Sequence, residues 1–139
     1  MTWLVYALLS AVFAGATAVL AKIGVEGVPS NLATAIRTSI VLVFAWVIVS
    51  ASQQLSDVKS LRAKTVVFLA LSGVATGISW LAYFKALRLA PASRVAPIDK
   101  LSLPVSIVLA VLVLGEPVSW RLAAGVGLMV VGAVLTIGA

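Results

Sequence analysis

The chain has 139 residues, 63% of them hydrophobic and only 10% charged, with a formal net charge of +6. A soluble domain carries roughly a quarter charged residues, so this chain cannot cover itself in water, and membrane spans leave no room for a separate soluble domain. Cysteine and histidine are absent and the four acids, Glu26, Asp57, Asp99 and Glu116, fall in different segments, which excludes disulfides and thiolate chemistry and argues against a metal site, a cofactor or a paired-carboxylate enzyme.

A span needs roughly 20 mostly apolar residues, and five such stretches use nearly the whole chain. The first covers residues 3–21 and ends at Lys22, before a connection with Gly24, Gly27 and Pro29. Its small-residue stretches, Ala14-Gly15-Ala16 and Ala16-Thr17-Ala18, have the look of signal-peptide cleavage sites. The basic residues that open a signal peptide are missing, so the segment is read as a span. The second span, 31–51, leads into a polar loop, 52–64, with Asp57, Lys59, Arg62 and Lys64.

The third span, 65–84, is followed by a connection carrying Lys85, Arg88, Pro91 and Arg94, and the fourth covers 94–114. A tight turn, Gly115-Glu116-Pro117, leads to the fifth, 118–137, and Glu116 is placed to cap that helix and meet its dipole. Most of the basic residues thus lie in short turns and form no contiguous face for nucleic acid. Small residues at helical spacing, Gly73 with Gly77, Ala11 with Gly15 and Ala123 with Gly127, predict close helix contacts within one subunit or between subunits.

Charges inside spans are costly unless paired, hydrated or able to reach the interface. Arg37 and Asp99 each lie roughly 10 Å below a helix end at a rise of about 1.5 Å per residue. Alternation of the spans puts Lys22, Arg37, Lys85, Asp99 and Lys100 towards one membrane face. The expectation is that Asp99 pairs with Arg37 or Lys85, leaving a positive excess for an anionic group on a substrate. At the span edges, Lys22 and Lys85 are read as snorkelling or structural.

Asp99, Ser102 and Ser106 share one face of segment four, and Ser72, Thr76, Ser79, Trp80 and Tyr83 form a comparable stripe on segment three. Either the stripes line a water-filled path, or the hydroxyls bond back to their own helices while Trp80 and Tyr83 join an interfacial aromatic belt. Both readings stay open. Pro97 and Pro104 predict a weakened helix beside Asp99-Lys100, a feature of transporter binding sites.

Near the span ends, Lys59, Arg62, Lys64 and Arg121 fall on the face of the N-terminus, and Lys22, Lys85, Arg88 and Arg94 on the other. Such a tie gives no strong orientation, although the deeper Arg37 and Lys100 tilt the balance to the second face. A chain that inserts both ways supplies two inverted copies for one pseudo-symmetric pathway. No internal repeat is evident, so the second half is expected from another subunit.

The stretches Ala86-Leu87-Arg88-Leu89-Ala90-Pro91-Ala92-Ser93, Leu112-Val113-Leu114-Gly115-Glu116-Pro117 and Gly125-Val126-Gly127-Leu128-Met129-Val130-Val131-Gly132-Ala133 resemble the end of an EamA domain, and Ala35-Ile36-Arg37 resembles its pattern in the second helix. The resemblance, to a family of the drug/metabolite transporter superfamily, covers essentially the whole chain. Typical members carry two such domains in inverted topology, so it implies a half-transporter completed by dimerisation. The membrane glutamate of the related small multidrug resistance transporters has no counterpart in segment one, and the charged Ile98-Asp99-Lys100-Leu101 stretch departs from the family pattern.

The expectation is an all-α integral membrane protein with a single EamA-like bundle over residues 1–139, in a bacterial or archaeal cytoplasmic membrane. It moves a small metabolite or amphipathic solute as a homodimer, antiparallel in arrangement, and is no enzyme. Arg37, Asp99 and Lys100 supply charge, Trp80 and Tyr83 aromatic contact, and Thr76, Ser102 and Ser106 hydrogen bonds. Two alternatives remain: an accessory membrane subunit, or half of a heterodimeric lipid-linked sugar flippase.

Overall fold

The computed structural model describes residues 2–137. It contains α1 (Thr2–Gly24), α2 (Ser30–Ala51), a 3-10 helix (Gln54–Ser60), α3 (Ala63–Leu89), α4 (Ala92–Asp99), α5 (Ser102–Leu109), a π-helical turn (Ala110–Leu114) and α6 (Trp120–Leu135), with no strand among the described residues. The all-α expectation holds. Four stretches, α1, α2, α3 and Ala92–Leu114, are long and apolar enough to cross a membrane, and α6 is a shorter apolar helix.

Local chemistry explains where these boundaries differ from the sequence reading. Lys85 and Arg88 do not end the third span, because both are good helix formers; α3 runs on to Leu89 and stops before Pro91, whose ring disfavours helix in the residue ahead of it. The expected polar loop contains the 3-10 helix, entered through Gln53 at a φ of 54°.

Span four is interrupted at Lys100-Leu101. Pro97 and Pro104 carry no N–H, so the helical ladder slips to shorter bonds: Leu101 N–H donates to the Ile98 carbonyl and Leu103 N–H to the Lys100 carbonyl, each at 3.0 Å. Further on, Gly115 closes the π-helical turn at a φ of 68°, a left-handed conformation that disfavours residues with a Cβ. The Glu116 N–H then donates to the Ala110 carbonyl at 3.3 Å.

The cap expected from Glu116 comes instead from Ser119, whose Oγ accepts the Leu122 N–H at 3.2 Å. Its position immediately before α6 and its extended backbone, ψ 152°, fit the N-cap role, which contributes about 1 kcal/mol. The fifth span therefore begins later than expected. At 16 residues it is about 24 Å long, short of the roughly 30 Å hydrocarbon layer.

Two compact units divide the chain: Leu20–Arg88, and Met1–Val19 with Leu89–Ala139. Within Leu20–Arg88, Ala21, Val25, Ala33, Phe84 and Leu87 are buried where the end of α1, the turn after it, the start of α2 and the end of α3 supply the core. In the other unit, α4 and α5 pack against α6. An apolar groove of about 430 Å³ there is bordered by Pro104, Ile107, Val111, Ala123 and Gly127 among others.

Large apolar side chains point outward along most of the helices, among them Phe13, Ile40, Phe44, Leu112 and Leu128, which suits a lipid environment. A Cβ added at Gly15, Gly73, Gly77 or Gly127 would meet no neighbouring atom within 4 Å.

Candidate functional site

Of the expected site residues, Arg37 and Trp80 are brought into direct contact. The Arg37 guanidinium carbon on α2 lies 4.2 Å from the centroid of the Trp80 ring and 5.6 Å from that of Phe84, both on α3. Trp80 and Phe84 are one helical turn apart, so they share a face and offer two π surfaces to one cation. Tyr83 meets Phe84 edge-on, with centroids 6.3 Å apart and planes at 70°.

The backbone around Arg37 is held by its own hydroxyls. Thr34 Oγ1 donates to the Ser30 carbonyl at 2.9 Å and Thr38 Oγ1 to the Thr34 carbonyl at 2.7 Å. Thr76, one turn before Trp80, likewise donates to the Ser72 carbonyl at 2.9 Å. These protons are committed within their helices, and at Thr38 and Thr76, which are exposed, the oxygens are left as acceptors; Thr34 is buried.

Near the end of α3, Lys22 Nζ donates to the Leu87 carbonyl at 2.6 Å. That carbonyl belongs to the last turn of α3, where the helix lacks partners for its carbonyls and carries negative partial charge. A cation from α1 thus fastens α1 to α3 within the Leu20–Arg88 unit. Lys22 is a structural clamp here, through a backbone carbonyl.

In the other unit Asp99 and Lys100 form an ion pair at 3.3 Å. Successive residues on an intact helix do not face each other; the interruption at Lys100 permits this pairing. The partner expected for Asp99 was Arg37 or Lys85, and the ion pair observed is with Lys100. Both side chains are substantially exposed, 34% and 52%, so the pair adds little stability by itself. Ser102 and Ser106 lie one turn apart on α5, Ser106 Oγ donating to the Ser102 carbonyl at 2.8 Å.

The site residues therefore fall into two groups. Arg37, Thr76, Trp80 and Tyr83 belong to one compact unit, and Asp99, Lys100, Ser102 and Ser106 to the other. Phe84 was missed by sequence reasoning, although its spacing of four from Trp80 was a usable signal. No group of three or more acids among the described residues is placed to hold a metal ion.

Comparison with known proteins gives the arrangement its context. The family model of the EamA-like transporter family matches residues 1–138. A Sinorhizobium sp protein described as an uncharacterized transporter in the cobO 3'region is 48% identical over 134 residues, covering 96% of this chain and 95% of that protein. No solved structure matches the chain. Apolar helices of spanning length, a family match over nearly every residue and a short relative of the same extent lead to one conclusion: the chain belongs to the EamA-like transporter family and is a multi-pass membrane transporter rather than an enzyme.

Proposed function

We propose that the protein moves a small metabolite or amphipathic solute by alternating access, as a homodimer of antiparallel subunits in a bacterial or archaeal cytoplasmic membrane. The observation that carries this reading is the even division of the Lys and Arg near the span ends, four against four with Arg37 and Lys100 lying deeper, in a chain whose residues 1–138 match the family model. An inward excess of basic residues sets orientation, and without one a single chain supplies both inverted halves. Open glycines at Gly73 and Gly77 and the apolar groove beside α6 add support, since small residues let helices of a second chain approach closely.

The interrupted fourth span supplies a hinge. Its slipped hydrogen bonds at Lys100-Leu101 need little rearrangement for the span to bend there, and the Asp99–Lys100 pair sits at the interruption. In this reading Arg37, Thr76, Trp80 and Tyr83 are the substrate-binding residues of one unit, and Asp99, Lys100, Ser102 and Ser106 those of the other. Native mass spectrometry of the protein released from membranes tests the assembly. A species of twice the 14.3 kDa chain is expected. A lone chain, or an unequal partner retained throughout purification, overturns the homodimer; the unequal partner is the result that an accessory subunit or a heterodimeric flippase half would give.

A further inference from the structure

We infer that Arg37 is an oxyanion-binding group, and that the transported solute is a small organic anion, a carboxylate or phosphate ester with an apolar body. The inference rests on the reading of this site as part of the transport path. Arg37 lies about 10 Å along α2 from its first residue, at a depth where an uncompensated charge is costly. Its guanidinium has Trp80 and Phe84 on its surface, and neither acid of its own unit, Glu26 or Asp57, forms an ion pair with it. Ring faces stabilise the charge and accept no conventional hydrogen bond, so the guanidinium donors are left for another partner.

Those donors are accessible. Among the described residues, no side-chain nitrogen or oxygen is both sealed from solvent and unbonded, and Arg37 itself is only partly buried. The direction of the side chain separates a solute from a lipid headgroup. An arginine that serves the interface reaches along its own helix towards the lipid phosphates. Arg37 is instead drawn across to α3, its guanidinium carbon 4.2 Å from the Trp80 centroid; a guanidinium held on ring faces keeps N–H donors that can pair bidentately with a carboxylate or phosphate. Tyr83, edge-on to Phe84, extends the aromatic surface for the apolar part of the ligand.

Trp80 is a built-in reporter for the test. In full-length protein with Trp3, Trp46 and Trp120 changed to Phe, reconstituted in phosphatidylcholine vesicles, benzoate or inorganic phosphate should shift Trp80 emission saturably, and benzylamine should not. Arg37→Gln should abolish the shift, and Arg37→Lys, which keeps the charge without the fork, should weaken binding at least tenfold. Helical circular dichroism identifies any variant that fails to fold, and Arg37→Lys then carries the comparison. No shift with either anion, or unchanged binding in Arg37→Lys, overturns the inference. A shift produced only by adding phosphatidylglycerol overturns the solute in favour of a lipid headgroup. A dimer in native mass spectrometry without anion binding removes this inference alone, and anion binding without a dimer removes the assembly alone.

Discussion

Leu87→Ala is expected to lower stability by about 2–3 kcal/mol, read as an earlier midpoint when the protein in mixed micelles is unfolded with rising fractions of dodecyl sulfate and helicity is followed. Leu87 is the one described side chain with an exposure of 0%, at the point where α1, α2 and α3 contribute to the core of the Leu20–Arg88 unit. Losses for such truncations run from about 2 to 5 kcal/mol in water-soluble cores. The lower part of that range applies here, because lipid rather than water surrounds the separated helices and the loss is mainly of packing. Val74→Ala, on an exposed apolar surface of the same helix, serves as a control with little change expected.

Lys22→Met should cost about 2 kcal/mol in the same measurement, the range for a hydrogen bond to a charged donor. Methionine keeps the length and apolar stem of the side chain but cannot donate to the Leu87 carbonyl, which is reached at 2.6 Å in the native protein. Lys22→Arg retains charge and donors and should recover part of the loss. Equal stability of the methionine variant and the native protein would mean that Lys22 merely snorkels. Because the clamp joins α1 to the same end of α3 that carries Trp80 and Phe84, its loss should also loosen the setting of Arg37.

What the sequence made legible follows from which physical signals are one-dimensional. Span positions come from runs of apolar residues, and α1 and α2 fall within a few residues of the expected limits. The break in the fourth span was visible in Pro97 and Pro104, because a missing N–H is a property of the residue itself. Depth along a helix was also legible, so Arg37, Trp80 and Asp99 stood out.

Pairing was not legible. Arg37 was one of two candidate partners for Asp99, with Lys85, because opposite charges at matching depth invite pairing; the rotation of α2 against α3, which puts the guanidinium on Trp80, cannot be counted from spacing. The start of α6 shows a different limit: Glu116 and Ser119 both bear oxygens near it, and only the extended turn before α6 selects Ser119. Hydroxyls at Thr76 and Ser106 were open to two readings, and their back-bonds to Ser72 and Ser102 settle the protons but leave the oxygens facing outward.

The most direct measurement of the central claim, that one chain supplies both inverted halves, is the membrane orientation of a fusion after Ala139. Alkaline phosphatase, active only outside the cytoplasmic membrane, and a fluorescent protein that matures only inside it are attached in parallel at native expression. Comparable activity from both is the predicted result, and an added pair of lysines in the 52–64 loop should then bias the population to one reporter. Activity from one reporter alone in the unmodified chain would contradict the antiparallel homodimer.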